Sequence, residues 1–352
     1  MFKRTSSERE PRPASAFAVQ TSDNAASHIS VPDPASFPAI ERPTPVGATP
    51  SKTRLPRGPQ LGDTALAYLL NAPALIFIVL LVAYPIASSF WISLHKYNLK
   101  RPNDFDFIGP GNYLTAFQSD LFRQSLRITA MFTLASVALV LVIGIGIALV
   151  VNETFRGRGI VRALILLPWA IPPVVNGLMW QWIFNSKVGA LNGLLYSLGI
   201  IDSYRSWLLD STGAVAMLVL AQVWNDAPFA AIVVLASLQA IPGELYDAAN
   251  VDRAGVIQRF RHVTLPWLVP GLVIIMIVET LSAVRVFDIV YVITGGGPGY
   301  DTTFLSWLTY QTSFLNLDFG QGNAYAYIIA IIALILSLLY MRVLQSKGDI
   351  RQ

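Results

Sequence analysis

The chain has 352 residues, 54% of them hydrophobic and only 13% charged, against roughly 25% charged for a soluble domain, which places most of it in a lipid bilayer. It contains no cysteine, which excludes disulfides, thiolate catalysis and thiolate-held metals. Its three histidines, His28, His95 and His262, lie far apart and argue against a histidine metal site or relay.

Residues 1–62 form a separate compositional region that holds ten of the 22 prolines among many Ser, Ala and Thr. Such a segment cannot bury enough apolar surface to offset its chain entropy, so a disordered cytoplasmic tail is expected there. No apolar core follows Lys3 and Arg4, so the start is not read as a signal peptide. Residues 63–352 are expected to form an all-α, polytopic membrane domain with about six spans, because only helices satisfy their backbone groups in lipid over such runs.

The first apolar run, 65–94, reads as an uncleaved anchor. The second, 128–151, has 24 residues without a charge, about 36 Å as a helix and enough to cross the hydrocarbon core. The third, 163–184, is interrupted by Pro168, Pro172 and Pro173. The fourth, 214–240, carries Gln222, Asn225, Asp226 and Phe229 at spacings of three to four, which puts them on roughly one helical face. Polar groups at membrane depth are costly unless they are paired or face water. Hydrogen-bonding groups beside aromatic rings suit sugars, whose ring faces stack while their hydroxyls need partners. An alternative is that Asn225 and Asp226 satisfy backbone groups freed by Pro228. The fifth run, 265–293, carries Glu279, Arg285 and Asp288. Glu279 and Arg285 are six apart and are expected to reach other helices, whereas Arg285 and Asp288 have the spacing of a local ion pair. The sixth run is 324–344.

Basic residues orient the chain. With the amino terminus inside, seventeen Lys and Arg fall on the cytoplasmic side and seven outside, and the 294–323 loop has none. Both termini are therefore expected in the cytoplasm, together with the 241–263 loop. The net charge of +4 follows from this sorting and is no sign of nucleic-acid binding.

That loop has a helix's composition. Pro242 suits a first turn, Glu244 and Asp247 favour the positive end of the helix, and Gly255 marks a break. Leu245, Ala248, Ala249 and Asp252 share one face, where two alanines would let another backbone approach. An amphipathic connector lying on lipid would need larger apolar residues there.

The residues Asp247, Ala248, Ala249, Asp252, Ala254, Phe260, Leu265, Pro266 and Pro270 resemble the "EAA" loop of bacterial ABC-importer permease subunits. Ile241 to Tyr246 before it, and Phe287, Asp288, Tyr291, Thr294 to Pro298 and Thr302–Thr303 after it, are similar to the sugar-uptake branch of that family. The resemblance covers about residues 65–345. It implies the type I ABC-importer transmembrane fold, with Glu244, Asp247, Ala248, Ala249, Asp252, Arg253, Ala254, Gly255, Phe260 and Pro266 in a coupling helix that docks in a groove of a cytoplasmic ATPase. Bulky residues at Ala249 or Gly255 are expected to uncouple such a lever. Two departures stand out: Asp247 where Glu is usual, and Arg253 where a glycine is usual.

By position, the resemblance also implies a sugar path lined by Trp169, Gln222, Asn225, Asp226, Phe229, Glu279 and Ala283, with Ser282 close by. It further implies a cytoplasmic ATPase dimer, a second homologous permease and a periplasmic sugar-binding protein that meets the outer loops 95–127, 185–212 and 294–323. No Gly-x-x-x-x-Gly-Lys-Ser/Thr sequence occurs, so no cofactor is expected in this chain, and ATP and magnesium belong to the partner ATPase. The expected role is import of a carbohydrate, a di- or oligosaccharide or a related glycoside, across the bacterial inner membrane, with membrane lipid around it. The rival class is an ion-coupled secondary transporter using Asp226 and Glu279 as relay carboxylates, which would leave the 241–263 loop without a task.

Overall fold

The structure is a computed structural model that describes residues 63–348, so the Pro-rich segment 1–62 and its expected disorder lie outside the described residues. The first crossing runs through α1 (Asp63–Ile78), a π-helical turn (Val79–Ala83) and α2 (Tyr84–Ser93). Its most apolar stretch buries no side chain within this chain. It meets the body mainly near its end, where Ser89 donates to Asn323 and Phe90 packs edge-on to Tyr327. A two-residue hairpin follows, β1 (His95–Lys96) antiparallel to β2 (Asp106–Phe107), and then α3 (Gly111–Gln118).

The second crossing is α4 (Asp120–Asn152), capped by the Ser119 hydroxyl, which accepts from the Phe122 N–H. The third is broken. α5 (Arg158–Ile165) and α6 (Leu167–Ala170) meet α7 (Pro173–Ile183) at a 93° bend. Pro172 and Pro173 supply the cause, since each lacks a donor and each drives the residue before it into extended backbone. After α8 (Ala190–Ser197), the fourth crossing is α9 (Ser211–Gln239), with Asp210 accepting from Gly213 N–H at its start. Five helices among the described residues are long and apolar enough to span, and the bent pair supplies the sixth.

α10 (Gly243–Val251) lies between the fourth and fifth crossings. The fifth crossing starts earlier than the sequence pattern suggests: α11 (Val256–Arg259), a π-helical turn (Phe260–Thr264) and α12 (Leu265–Val284) run on continuously. It also ends earlier, at Val284, and α13 (Asp288–Ile293) resumes after a break. One distant and one local group make this end: the Ser306 hydroxyl donates to Val286 C=O, and Arg285 Nε donates back to Leu281 C=O at 2.8 Å. A cation on the last carbonyls of a helix is favoured by its dipole. α14 (Leu305–Tyr310), a π-helical turn (Gln311–Leu315) and α15 (Phe319–Gly348) complete the chain.

The core forms where α4 and α9 approach closely. A Cβ on Gly144 would lie 2.8 Å from the Ala230 Cβ, so only glycine allows this approach. Phe132, Val140, Leu218, Ile275, Val290 and Phe304 are buried around this contact. Gln124 and Ser211, at the starts of α4 and α9, both donate to Asp301. The loop carrying Asp301 therefore sits at one end of the bundle. α9 then runs 29 residues, about 43 Å, to α10 at the other end. Between α13 and α14, Gly295, Gly296 and Gly299 adopt positive φ angles of 58°, 92° and 58°. Gly296 C=O accepts from Thr302 N–H and the Thr303 hydroxyl, so the Gly-rich segment is a loop closed by its own threonines.

Candidate functional site

The middle of α9 builds a polar wall. Gln222 Nε2 donates to Asp226, one turn on. Asn225 Nδ2 donates to Pro168 C=O of α6 at 2.7 Å, and Asn176 of α7 donates to the Asn225 side-chain oxygen at 3.4 Å. Asn225 therefore fixes the bent third crossing to α9, and its partner is a carbonyl of α6 rather than one freed by Pro228. Glu279 of α12 is buried, 5% exposed, and its carboxyl group lies near that of Asp226.

Beside this wall is a pocket of about 310 Å³ lined by Gln222, Asn225, Asp226 and Ser282 together with Arg285, Phe287 and Asp288. Four of the residues expected on a solute path thus line one cavity near the mid-length of α9, and Glu279 lies close to one of them. Trp169 and Phe229 stack on each other with centroids 5.6 Å apart and 20° between planes. They make an aromatic platform next to Pro168, outside the pocket lining. Ala283 is placed differently from expectation. It is 2% exposed, packs in the core cluster and does not line the pocket.

Arg285 and Asp288 also depart from expectation. Among the described residues the ion pairs are Lys96–Asp104 and Arg123–Asp120, so the local pair does not form. The helix break at 285–287 turns both side chains onto the pocket wall. Charges in an apolar run were the signal that marked them, but i,i+3 spacing holds only within an unbroken helix.

The second candidate site is α10 and the turn after it. Glu244, Asp247 and Ala248 are exposed on α10, and Asp252 caps its end. Ala249 is buried, because Tyr246 Oη bonds the Thr264 hydroxyl at 3.0 Å and holds that side of α10 against the start of α12. Ala249 therefore faces the body and does not share an open docking face with Leu245, Ala248 and Asp252. Phe260 is half-buried in the π-helical turn, and Pro266 stands in the first turn of α12. Three exposed aliphatic side chains flank the break: Val251 and Ile257, each 82% exposed, and Val256. The sequence reading missed them by concentrating on the alanines.

Arg253 holds the turn's unusual conformation, with φ of 52°. Arg253 N–H reaches Asn250 C=O, and Ala254 N–H reaches Ala249 C=O at 2.9 Å. These bonds form a Schellman cap with arginine at the left-handed position that normally takes glycine. Gly255, by contrast, has an ordinary φ of −66°, and a Cβ there would meet only Gln258 Oε1 at 3.9 Å. Bulk at Gly255 would therefore meet no obstacle within this chain, and the uncoupling expected of it would arise at the docked partner. A left-handed L residue costs about 1–2 kcal/mol, partly offset by the greater entropy glycine loses on folding. Arg253→Gly is expected to steady the turn by up to about 1 kcal/mol, slowing hydrogen exchange at the Ala254 amide by about fivefold. Unchanged or faster exchange would show that the turn is not strained.

Residues 140–346 match the family described as "Binding-protein-dependent transport system inner membrane component". The chain is 38% identical over 288 residues to the trehalose/maltose transport system permease protein MalF of Thermococcus litoralis, covering 82% of this chain and 96% of that one. It is 37% identical over 287 residues to the sulfoquinovosyl glycerol transport system permease protein SmoG of Agrobacterium fabrum, covering 82% and 92%. The trehalose transport system permease protein SugA of Mycobacterium tuberculosis is 36% identical over 272 residues, covering 77% and 86%. The fold is that of a crystal structure of a bacterial ABC transporter that imports the acidic polysaccharide alginate, at a TM-score of 0.69 and 22% identity over 82% of this chain and 96% of that one. A second structure of a bacterial alginate transporter, in complex with an alginate pentasaccharide-bound periplasmic protein, matches at a TM-score of 0.67 and 22% identity over 78% and 92%. The chain belongs to the family of binding-protein-dependent transport system inner membrane components, as a multi-pass membrane permease subunit.

Proposed function

We propose that this permease carries a carbohydrate into the cell and that the pocket formed by Gln222, Asn225, Asp226 and Ser282 is its part of the path. The observation that carries the reading is a hydrogen-bonding cavity at mid-span, in a chain whose relatives are named for trehalose, maltose and sulfoquinovosyl glycerol. Carboxylate, amide, hydroxyl and guanidinium groups around one cavity match the alternating donors and acceptors of a polyol. ATP is hydrolysed by separate cytoplasmic subunits that grip α10, a second permease completes the path, and a periplasmic receptor delivers the sugar. Both termini and α10 are cytoplasmic.

Closure of the ATPases moves α10, and its Tyr246–Thr264 bond passes that motion to α12, which bears Glu279 and Ser282. Such coupling needs two discrete packings of the helices rather than continuous bending. The Asp226–Glu279 carboxyl pair is the feature an ion-driven carrier would use, so the test separates the two energy sources. In cells, uptake of labelled trehalose, maltose or a glycosylglycerol is expected to stop on ATP depletion and to survive a protonophore, and an ATPase is expected to copurify. Uptake that a protonophore abolishes while ATP is maintained would contradict this function.

A further inference from the structure

A chain of aromatic contacts leads away from the pocket, starting in a cluster where the buried Trp307 touches Phe287, Tyr291 and Tyr310, and Phe287 also meets Tyr310 at 5.1 Å. Phe287, on the pocket wall, stacks on Tyr291 at 5.7 Å, and Tyr291 meets Tyr310 at 6.3 Å. Tyr310 meets Phe314 at 5.3 Å, Phe314 meets Phe319 at 5.8 Å, and Phe319 meets Tyr97 at 6.2 Å. The file ends beyond Phe105, which is 5.3 Å from Tyr97 and stacks on His95 in the hairpin. It thus runs from the pocket to the end of the bundle opposite α10.

Three features distinguish this file from a packed core or a lipid-facing belt. First, three of its rings are open, Tyr291 52% exposed, Phe314 60% and Phe105 45%, while Phe287, Tyr310, Phe319 and Tyr97 are half-buried. Secondly, it begins at a polar cavity and runs on beyond Tyr310 as one row, whereas interfacial aromatics are spread around a membrane protein's perimeter. Thirdly, hydrogen-bonding groups flank its far end, where Lys96 pairs with Asp104 and opposes Asp106 in the hairpin. Open ring faces beside polar groups are what a pyranose requires, since its C–H face stacks and its hydroxyl rim bonds. Centroid steps of 4.4–6.3 Å are short enough for one sugar ring to contact two neighbours during a transfer.

We propose that this row is a carbohydrate-binding ladder that guides pyranose rings between the receptor end of the permease and the pocket. The proposal rests on the carbohydrate reading above and adds a second binding surface to it. The test uses the assembled importer in nanodiscs, without the periplasmic receptor, and a panel of trehalose, maltose, maltotriose and a glycosylglycerol. Saturation-transfer NMR is expected to mark the protons on the sugar ring faces. Phe314→Leu and Phe105→Leu, both remote from the pocket, are expected to weaken sugar binding by roughly three- to tenfold each, while Phe314→Trp keeps it. The longer sugar is expected to lose more than the disaccharides. If the leucine variants bind sugar as the parent does, or change only the amount of complex in the membrane or its response to the receptor, the ladder is refuted and the pocket reading stands. If no sugar in the panel binds or is imported, both fail.

Discussion

The double variant Asn225→Leu, Asp226→Leu is expected to import no measurable sugar. Each residue presents a hydrogen-bonding group to the pocket. Removing a bond to a charged group costs roughly 1.5–3 kcal/mol and one to a neutral group about 0.5–1.5 kcal/mol, so uptake per assembled complex should fall on the order of 100-fold. The structure separates two contributions. Asn225→Leu alone also breaks the bond to Pro168 C=O, which keeps the Ile171 N–H as its partner, at about 0.5–1.5 kcal/mol of stability. Asp226→Leu alone leaves that inter-helix bond in place, so it should lose transport with less loss of assembly. Asp226→Asn keeps an acceptor for Gln222 and should restore part of the activity. Sugar uptake counted per complex, with the copurified ATPase as the measure of assembly, decides the matter. Normal uptake by the double variant would remove α9 from the path.

The second large effect is expected at the far end of the molecule. Val251 and Ile257 are each 82% exposed beside Asp252, Arg253, Gln258 and Arg259, charged and polar neighbours that place them in water rather than lipid. Fully burying an aliphatic side chain contributes about 1.5–3 kcal/mol. Two such side chains seated on an ATPase account for enough affinity that Val251→Asp with Ile257→Asp should weaken association on the order of 100-fold or more. Because both side chains protrude, their replacement should leave the permease inserted and folded. ATPase recovered with the affinity-purified permease measures this directly, and recovery equal to the parent's would show that the aliphatic rim is not the docking surface.

How far the sequence could be read depended on whether a property was local. A run of 24 residues without a charge, such as 128–151, is compatible with little but a helix in lipid, and Pro172–Pro173 marked the bend in the third crossing. The break after Val284 was hidden, because the hydroxyl of Ser306, from another helix, helps to make it. That break also changed the reading of Arg285 and Asp288 from a local pair to pocket lining. Periodicity grouped Leu245, Ala248, Ala249 and Asp252 on one face but did not say which way the face turns. The Tyr246–Thr264 bond sets that rotation and buries Ala249. Arg253 shows the opposite case. It stands where a glycine is usual, and its φ of 52° is a conformation that glycine adopts without cost.

The account rests on α10 and the Val251–Ile257 rim being a cytoplasmic surface covered by a nucleotide-hydrolysing partner. The chain has no cysteine, so a single Ile257→Cys reports on that position alone. In spheroplasts, a membrane-impermeant maleimide should fail to label it. In inside-out vesicles it should label readily once the ATPase is stripped, and poorly while the ATPase is bound. Labelling of intact spheroplasts, or equal labelling of vesicles with and without the ATPase, would contradict the account.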